Sequence, residues 1–228
     1  MEFAVEGCPH KAKKMLDGQE GIKSVSIQSG ALLVESDLSA SQINKYIETS
    51  GQRAVLQGYG SSTDKPNLGA AVALMDVGID NNLKGVVRFV QVDESTCVID
   101  GTLDGLSQGK YGVFLHEYGD ISKGCMSCGD ILGQSSKNNI GEIGEITSDS
   151  GRAEFRVTNS NFKVWDIIGR SCVLHDRQSS KDNRLLCGIV ARSAGLFQNT
   201  KKICACDGVP VWDERNKPLA GPTRQSKI

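Results

Sequence analysis

Residues 83–120 read LKGVVRFVQVDESTCVIDGTLDGLSQGKYGVFLHEYGD. Short runs rich in Val, Ile, Phe and Tyr are broken every few residues by Asp, Ser and Gly. Such runs form strands, and such breaks form turns. The same punctuation continues through AAVALM (70–75), GEIGEITSD (141–149), RAEFRVTN (152–159), DIIGRSCVLHD (166–176) and LLCGIVARS (185–193). Many short strands at this spacing predict an antiparallel sandwich or Greek-key barrel over residues 68–193.

Upstream the pattern changes. EFAVE is a short strand. CPHKAKKMLDG has helical spacing and meets a C-cap glycine at Gly18. IKSVSIQ and ALLVES flank Ser-Gly, a hairpin-type turn. Ser39 is placed to cap SASQINKYIETSG, which carries Ile43 and Ile47 four residues apart. RAVLQ is the last strand. The order βαββαβ predicts a ferredoxin-like α+β domain over residues 1–60. The stretch around 61–67 is rich in Ser, Asp and Pro and reads as a linker. Residues 194–228 lack a clear period and read as an extended C-terminal tail.

Bulk composition narrows the function. The chain has 228 residues and a formal net charge of -1. That balance gives no electrostatic reason to expect nucleic acid or a strongly charged surface as partner. No apolar run reaches the roughly 18 residues that span a bilayer. The N-terminus has no secretory pattern, so a cytoplasmic location is expected. The eight cysteines then point to metal binding, redox work or buried thiols rather than a secreted disulfide framework. Cys97 and Cys172 sit inside strand runs and read as core fillers.

Cys204-Ala205-Cys206 is the strongest chemical motif. Thiolates are soft ligands that favour Cu(I), and few sulfurs suffice. Lys201 and Lys202 favour the thiolate forms. Cys125-Met126-Ser127-Cys128 also has C-x-x-C spacing, but in a loop rather than at a helix start.

LKGVVRF, LHEYGD, GRAEFRV, VWDIIGRS and RLLCGI together make the middle segment resemble Cu,Zn superoxide dismutase. The preceding βαββαβ domain, the string NLGAAVAL and the tail GIVARSAGLFQN…KKICACDGVPVWDERNKPLAG resemble the family of copper chaperones for superoxide dismutase. The resemblance implies a dismutase-type barrel and Cu(I) carriage. It implies a Cys204/Cys206 tail that moves copper and takes part in oxidising the target's intrasubunit disulfide. It implies Cu,Zn superoxide dismutase as heterodimer partner, with a homodimer in its absence and a copper-donor transporter upstream. It also makes the mitochondrial intermembrane space a second location. Within the barrel it pairs Cys125 with Cys187 in a structural disulfide, and it makes Cys128 a secondary thiol candidate.

The dismutase enzymes hold copper with four His and zinc with three His and one Asp, one His being shared. This chain has only His10, His116 and His175. Phe114 stands where the first copper imidazole falls. His116 and His175 match copper ligands and are weak metal candidates. Asn139 and Glu142 fall where zinc ligands belong, so zinc is not expected. Arg184 matches the active-site arginine and is given a structural role. No enzymatic dismutation is expected. The first domain of the chaperone family carries two cysteines entering its first helix. Here Cys8 stands alone, with His10 nearby, as a weak metal candidate. Against the chaperone reading stand a scaffold that pairs without transferring copper and, less favoured by the ligand count, an active dismutase.

Overall fold

The computed structural model describes residues 1–60, 68–134, 140–149, 151–177 and 183–196. The stretch read as a linker (61–67), Asn139, and the tail from residue 197 with Lys201, Lys202, Cys204 and Cys206 lie outside the described residues. The chain separates into two compact units. Among the described residues, 1–60 and 194–196 belong to the first, and 68–193 to the second.

The first unit runs β1 (Glu2–Glu6), α1 (Pro9–Leu16), β2 (Ile22–Gln28), β3 (Ala31–Ser36), α2 (Ala40–Thr49) and β4 (Arg53–Gly58). Its antiparallel sheet has the order β2-β3-β1-β4. This is the βαββαβ arrangement. Ser29 and Gly30 both take positive φ, 52° and 82°, as the tight turn between β2 and β3 requires. Helix α2 starts on a capping box: Ser39 Oγ accepts from Gln42 N, and Gln42 Oε1 accepts from Ser39 N. Ala12 and Leu16 of α1 and Ile43 and Ile47 of α2 are buried at helical spacing, with Phe3, Leu32 and Ala54 of the sheet. The C-cap of α1 is Asp17 rather than Gly18. Gly18 follows it at φ 82°, the left-handed conformation in which helices commonly leave their axis.

The second unit contains β5 (Ala70–Met75), β6 (Val77–Gly78), β7 (Lys84–Gln91), β8 (Cys97–Asp104), β9 (Gly109–His116) and β10 (Ser122–Cys125). It continues with β11 (Glu142–Ser148), β12 (Arg152–Asn159), α3 (Val164–Ile167), β13 (Ser171–Asp176) and β14 (Asn183–Arg192). The hydrogen-bonded path is β11-β9-β13-β14-β5-β7-β8-β12, with β6 paired to β14. The two end strands, β11 and β12, approach each other, and Asn159 Nδ2 donates to the Glu142 carbonyl at 3.2 Å. The sheet is therefore a nearly closed antiparallel barrel. Phe89, Ile99, Leu103, Leu115, Ile167 and Leu174 fill its interior, and Cys97 and Cys172 are fully buried among them. Their role as core fillers follows from that position.

The run DIIGRSCVLHD does not form one strand. Its first part belongs to the single helical turn α3, where Asp166 accepts from Lys163 N, and the strand begins at Ser171. Periodicity alone does not distinguish a buried turn of helix from a strand in so short an apolar run.

Candidate functional site

The two barrel histidines lie on β9 and β13, which pair with His116 opposite Ser171 and Phe114 opposite Val173. His116 is fully buried, and His175 is 6% exposed. Their Nε2 atoms are 2.9 Å apart, and their rings are 5.0 Å between centroids. His116 Nδ1 lies 2.9 Å from the Gly129 carbonyl. A carbonyl only accepts, so Nδ1 carries a proton. In the neutral ring Nε2 is then the acceptor, and His175 Nε2 is the donor.

A stack covers the other side. The Phe114 ring is 4.8 Å from His175, and the Arg177 guanidinium is 5.2 Å above the same Phe114 ring. Arg177 Nη2 is 3.3 Å from Glu142 Oε1. Glu142, at a zinc-ligand position by resemblance, is thus engaged with a cation. Among the described residues no three of His, Cys, Asp and Glu converge as a metal would require. Arg177 was not legible as part of the site, because its contact with Phe114 joins two strands distant in sequence.

At the bulge between β13 and β14, Leu174 pairs with Leu186 and His175 with Arg184, leaving Leu185 as the extra residue. Arg184 Nη1 donates to the carbonyls of Cys125 (3.1 Å) and Gly129 (2.8 Å). It thereby holds both ends of a 3-10 turn, Met126–Cys128. Gly129, at φ 76°, closes that turn, and its carbonyl receives both Arg184 and His116.

Cys125 and Cys187 are joined by a disulfide with Cα atoms 5.6 Å apart, across 62 residues. A loop of that length gives about 4 kcal/mol of stabilisation in the chain-entropy account. Cys128 is fully buried and packs in one cluster with Cys125, Val173 and Cys187. Burial pushes its thiol up, opposed by a side-chain hydrogen bond with Ser171 and by the Arg184 guanidinium, while Asp120 adds to the rise. Burial likewise pushes Cys97 and Cys172 up to about 12.

In the first unit Cys8 is the exposed N-cap residue of α1, and Pro9 begins the helix. Its side chain makes no capping bond; its backbone N–H donates to Gln52 Oε1 at 2.8 Å. His10 is exposed on the same turn.

The family described as Copper/zinc superoxide dismutase (SODC) matches residues 83–190. "Copper chaperone for superoxide dismutase" from Rattus norvegicus is 39% identical over 251 residues, spanning 99% of this chain and 90% of the relative. The protein of the same name from Homo sapiens is 38% identical, spanning 99% and 92%. "Superoxide dismutase 1 copper chaperone" from Saccharomyces cerevisiae is 32% identical, spanning 94% and 92%.

Proposed function

We propose a function that proceeds from one fact: the chain belongs to the family of copper chaperones for superoxide dismutase. It carries Cu(I) as cargo and hands it to a Cu,Zn superoxide dismutase subunit. Cys204 and Cys206 hold the ion at transfer. The observation that carries this reading is the barrel pocket. His116 and His175 bond each other at 2.9 Å, and Phe114 fills the next ligand position. The mutual bond and the Phe114 ring support a reading in which Cu(I) is held by the soft thiolates of Cys204 and Cys206 rather than by these imidazoles.

The same tail assists oxidation of the target's intrasubunit disulfide. One tail cysteine, in a mixed disulfide with a target cysteine, is displaced by the target's second thiolate. The target's disulfide forms, and the tail cysteine leaves as a thiol. The two electrons lost in making the mixed disulfide go to an external oxidant such as dioxygen. Pairing with the target uses the barrel surface around β14. Ile189 is 39% exposed there, and its side chain lies near Gly119, next to Tyr118 at 58%. A large exposed aliphatic and an aromatic suit the core of a protein interface. The cytoplasm, where thiols stay reduced, is the compartment this chemistry fits.

The test is Cu(I) stoichiometry and activation of copper-free, disulfide-reduced dismutase by three full-length proteins: wild type, Cys8→Ser, and Cys204→Ser with Cys206→Ser. Activation is expected from the first two and lost in the third. A tail double variant that still binds copper and still activates the enzyme would refute the assignment. A wild type that forms the heterodimer without raising activity would favour a pairing scaffold instead. Ile189→Glu is expected to weaken heterodimer formation while leaving Cu(I) stoichiometry unchanged.

A further inference from the structure

Three sulfurs share one small cluster in the barrel: Cys125 and Cys187 as a disulfide, and Cys128 as a thiol packed against them. Cys125 is the helical N-cap of the 3-10 turn, with φ -69° and ψ -10°, and Cys128 is the last residue of that turn. In a 3-10 helix, residues three apart eclipse each other, with a rise of about 2 Å per residue. The Cα atoms of Cys125 and Cys128 are therefore about 6 Å apart on the same side of the turn. Disulfides bridge Cα separations of roughly 4.4–6.8 Å without backbone movement. The Cα spacing thus allows Cys125 two partners: Cys187 on β14 and Cys128 on its own turn.

We propose that this cluster is an intramolecular disulfide-exchange site, in which Cys128 Sγ attacks Cys125 Sγ and releases Cys187. The Cys125–Cys187 bond breaks and a Cys125–Cys128 bond forms. The proton lost from Cys128 is regained by Cys187. One thiol and one disulfide stand on each side, so no oxidant or reductant is consumed. The attacking group must be a thiolate. Burial raises the Cys128 thiol, and Ser171 and Arg184 partly offset this with a hydrogen bond and a positive charge. Arg184 holds the turn at both ends through the carbonyls of Cys125 and Gly129, so the charge stays in place as the sulfurs exchange. The consequence is mechanical. The bond that ties β10 and the turn to β14 across 62 residues becomes a local one, and the loop keeps only its hydrogen bonds to the barrel. The exchange requires neither copper nor the tail, so it stands apart from the reading above.

The test uses the full chain carrying Cys8→Ser, Cys204→Ser and Cys206→Ser, so that no other described exposed thiol or tail thiol takes part. After about a day near pH 8.5, where a minor thiolate fraction suffices for slow exchange, the sample is quenched in acid and its free thiols are blocked under denaturing conditions. The disulfides are then mapped by mass spectrometry. The expected result is a Cys125–Cys128 species in which the loss of Cys128 thiol equals the gain of Cys187 thiol. A map holding only Cys125–Cys187 overturns the proposal. So does a Cys128–Cys187 species with free Cys125, which places the attack on the other sulfur. Cys187→Ser added to the same background gives an independent check. Oxidised with glutathione disulfide, it is expected to close Cys125–Cys128 while keeping native circular dichroism. An end state with glutathione on both cysteines, or closure only with loss of the native spectrum, counts against the proposal.

Discussion

His116 Nε2 and His175 Nε2 meet at 2.9 Å on the face of the β9–β13 pair opposite the barrel core, both rings buried. The bond is held from both sides: the Gly129 carbonyl fixes the His116 tautomer, and the Phe114 ring backs His175. His175→Phe keeps a ring but removes the donor to a buried nitrogen. A loss of about 1–3 kcal/mol is expected in the barrel's urea transition. Combined with His116→Leu, the two effects are expected to fall short of additivity by about 0.5–3 kcal/mol. Strict additivity would mean that the two imidazoles do not stabilise each other.

Thiol reactivity should divide by burial. Cys97 and Cys172 are fully buried, with thiols pushed up to about 12, whereas Cys8 is exposed. Native iodoacetamide labelling near pH 8 should modify Cys8 within minutes and leave Cys97 and Cys172 unmodified until denaturant is added. Peptide mapping that finds Cys97 or Cys172 labelled in the native chain contradicts the packing described.

Acid should weaken the hairpin between β7 and β8 through Asp93. Its carboxylate accepts from the Ser95 backbone N–H at 2.8 Å, the Ser95 hydroxyl at 2.9 Å and the Thr96 N–H at 2.8 Å. These bonds, led by the Ser95 N–H, lower its pKa from 3.8 to about 2. A folded value below the unfolded one means that the unfolded chain binds more protons in this window. The contribution is therefore present above the ordinary carboxylate pKa and is lost as pH falls toward 2. Asp93→Asn should flatten the fall of the urea midpoint between about pH 4 and 2. Parallel profiles for variant and wild type would remove Asp93 from the acid response.

The first unit depends on its α2 cap. Ser39→Ala removes the acceptor for Gln42 N and half of the capping box. A loss of about 1 kcal/mol is expected for the unit that contains α2. Ser39→Asp should restore most of it, because a carboxylate also accepts at this position. Equal stability of the alanine and aspartate variants would show that the cap contributes nothing.

Much of the architecture was legible in the chain. Strand runs with Gly and Asp punctuation marked the barrel, and Ser29-Gly30 marked a hairpin. Ser39 three residues ahead of Gln42 is a capping signature that can be read directly. These are local features, set by φ preference and by donors within a few residues. That the chain holds only three histidines was likewise legible by counting alone. Less was legible at Val164–Ile167, where four apolar or flanking residues fit a strand as well as a turn of helix. The short strands β6 and β10 carry too few residues to produce a period.

The site itself was decided by pairing between distant segments. Sequence named His116, His175, Arg184 and Cys128 separately. The β9–β13 register sets the two imidazoles against each other. The Leu185 bulge sets Arg184 across from His175, and the guanidinium reaches the ends of the turn that carries Cys128. The contact between the imidazoles and those of Arg184 with the turn have no local period, because each spans 55 residues or more along the chain. The types of residue available for chemistry were determined by the sequence alone. Whether two histidines face a vacancy or each other, and whether a cysteine is exposed or packed against a disulfide, depended on strand register and burial, which only the tertiary structure fixes.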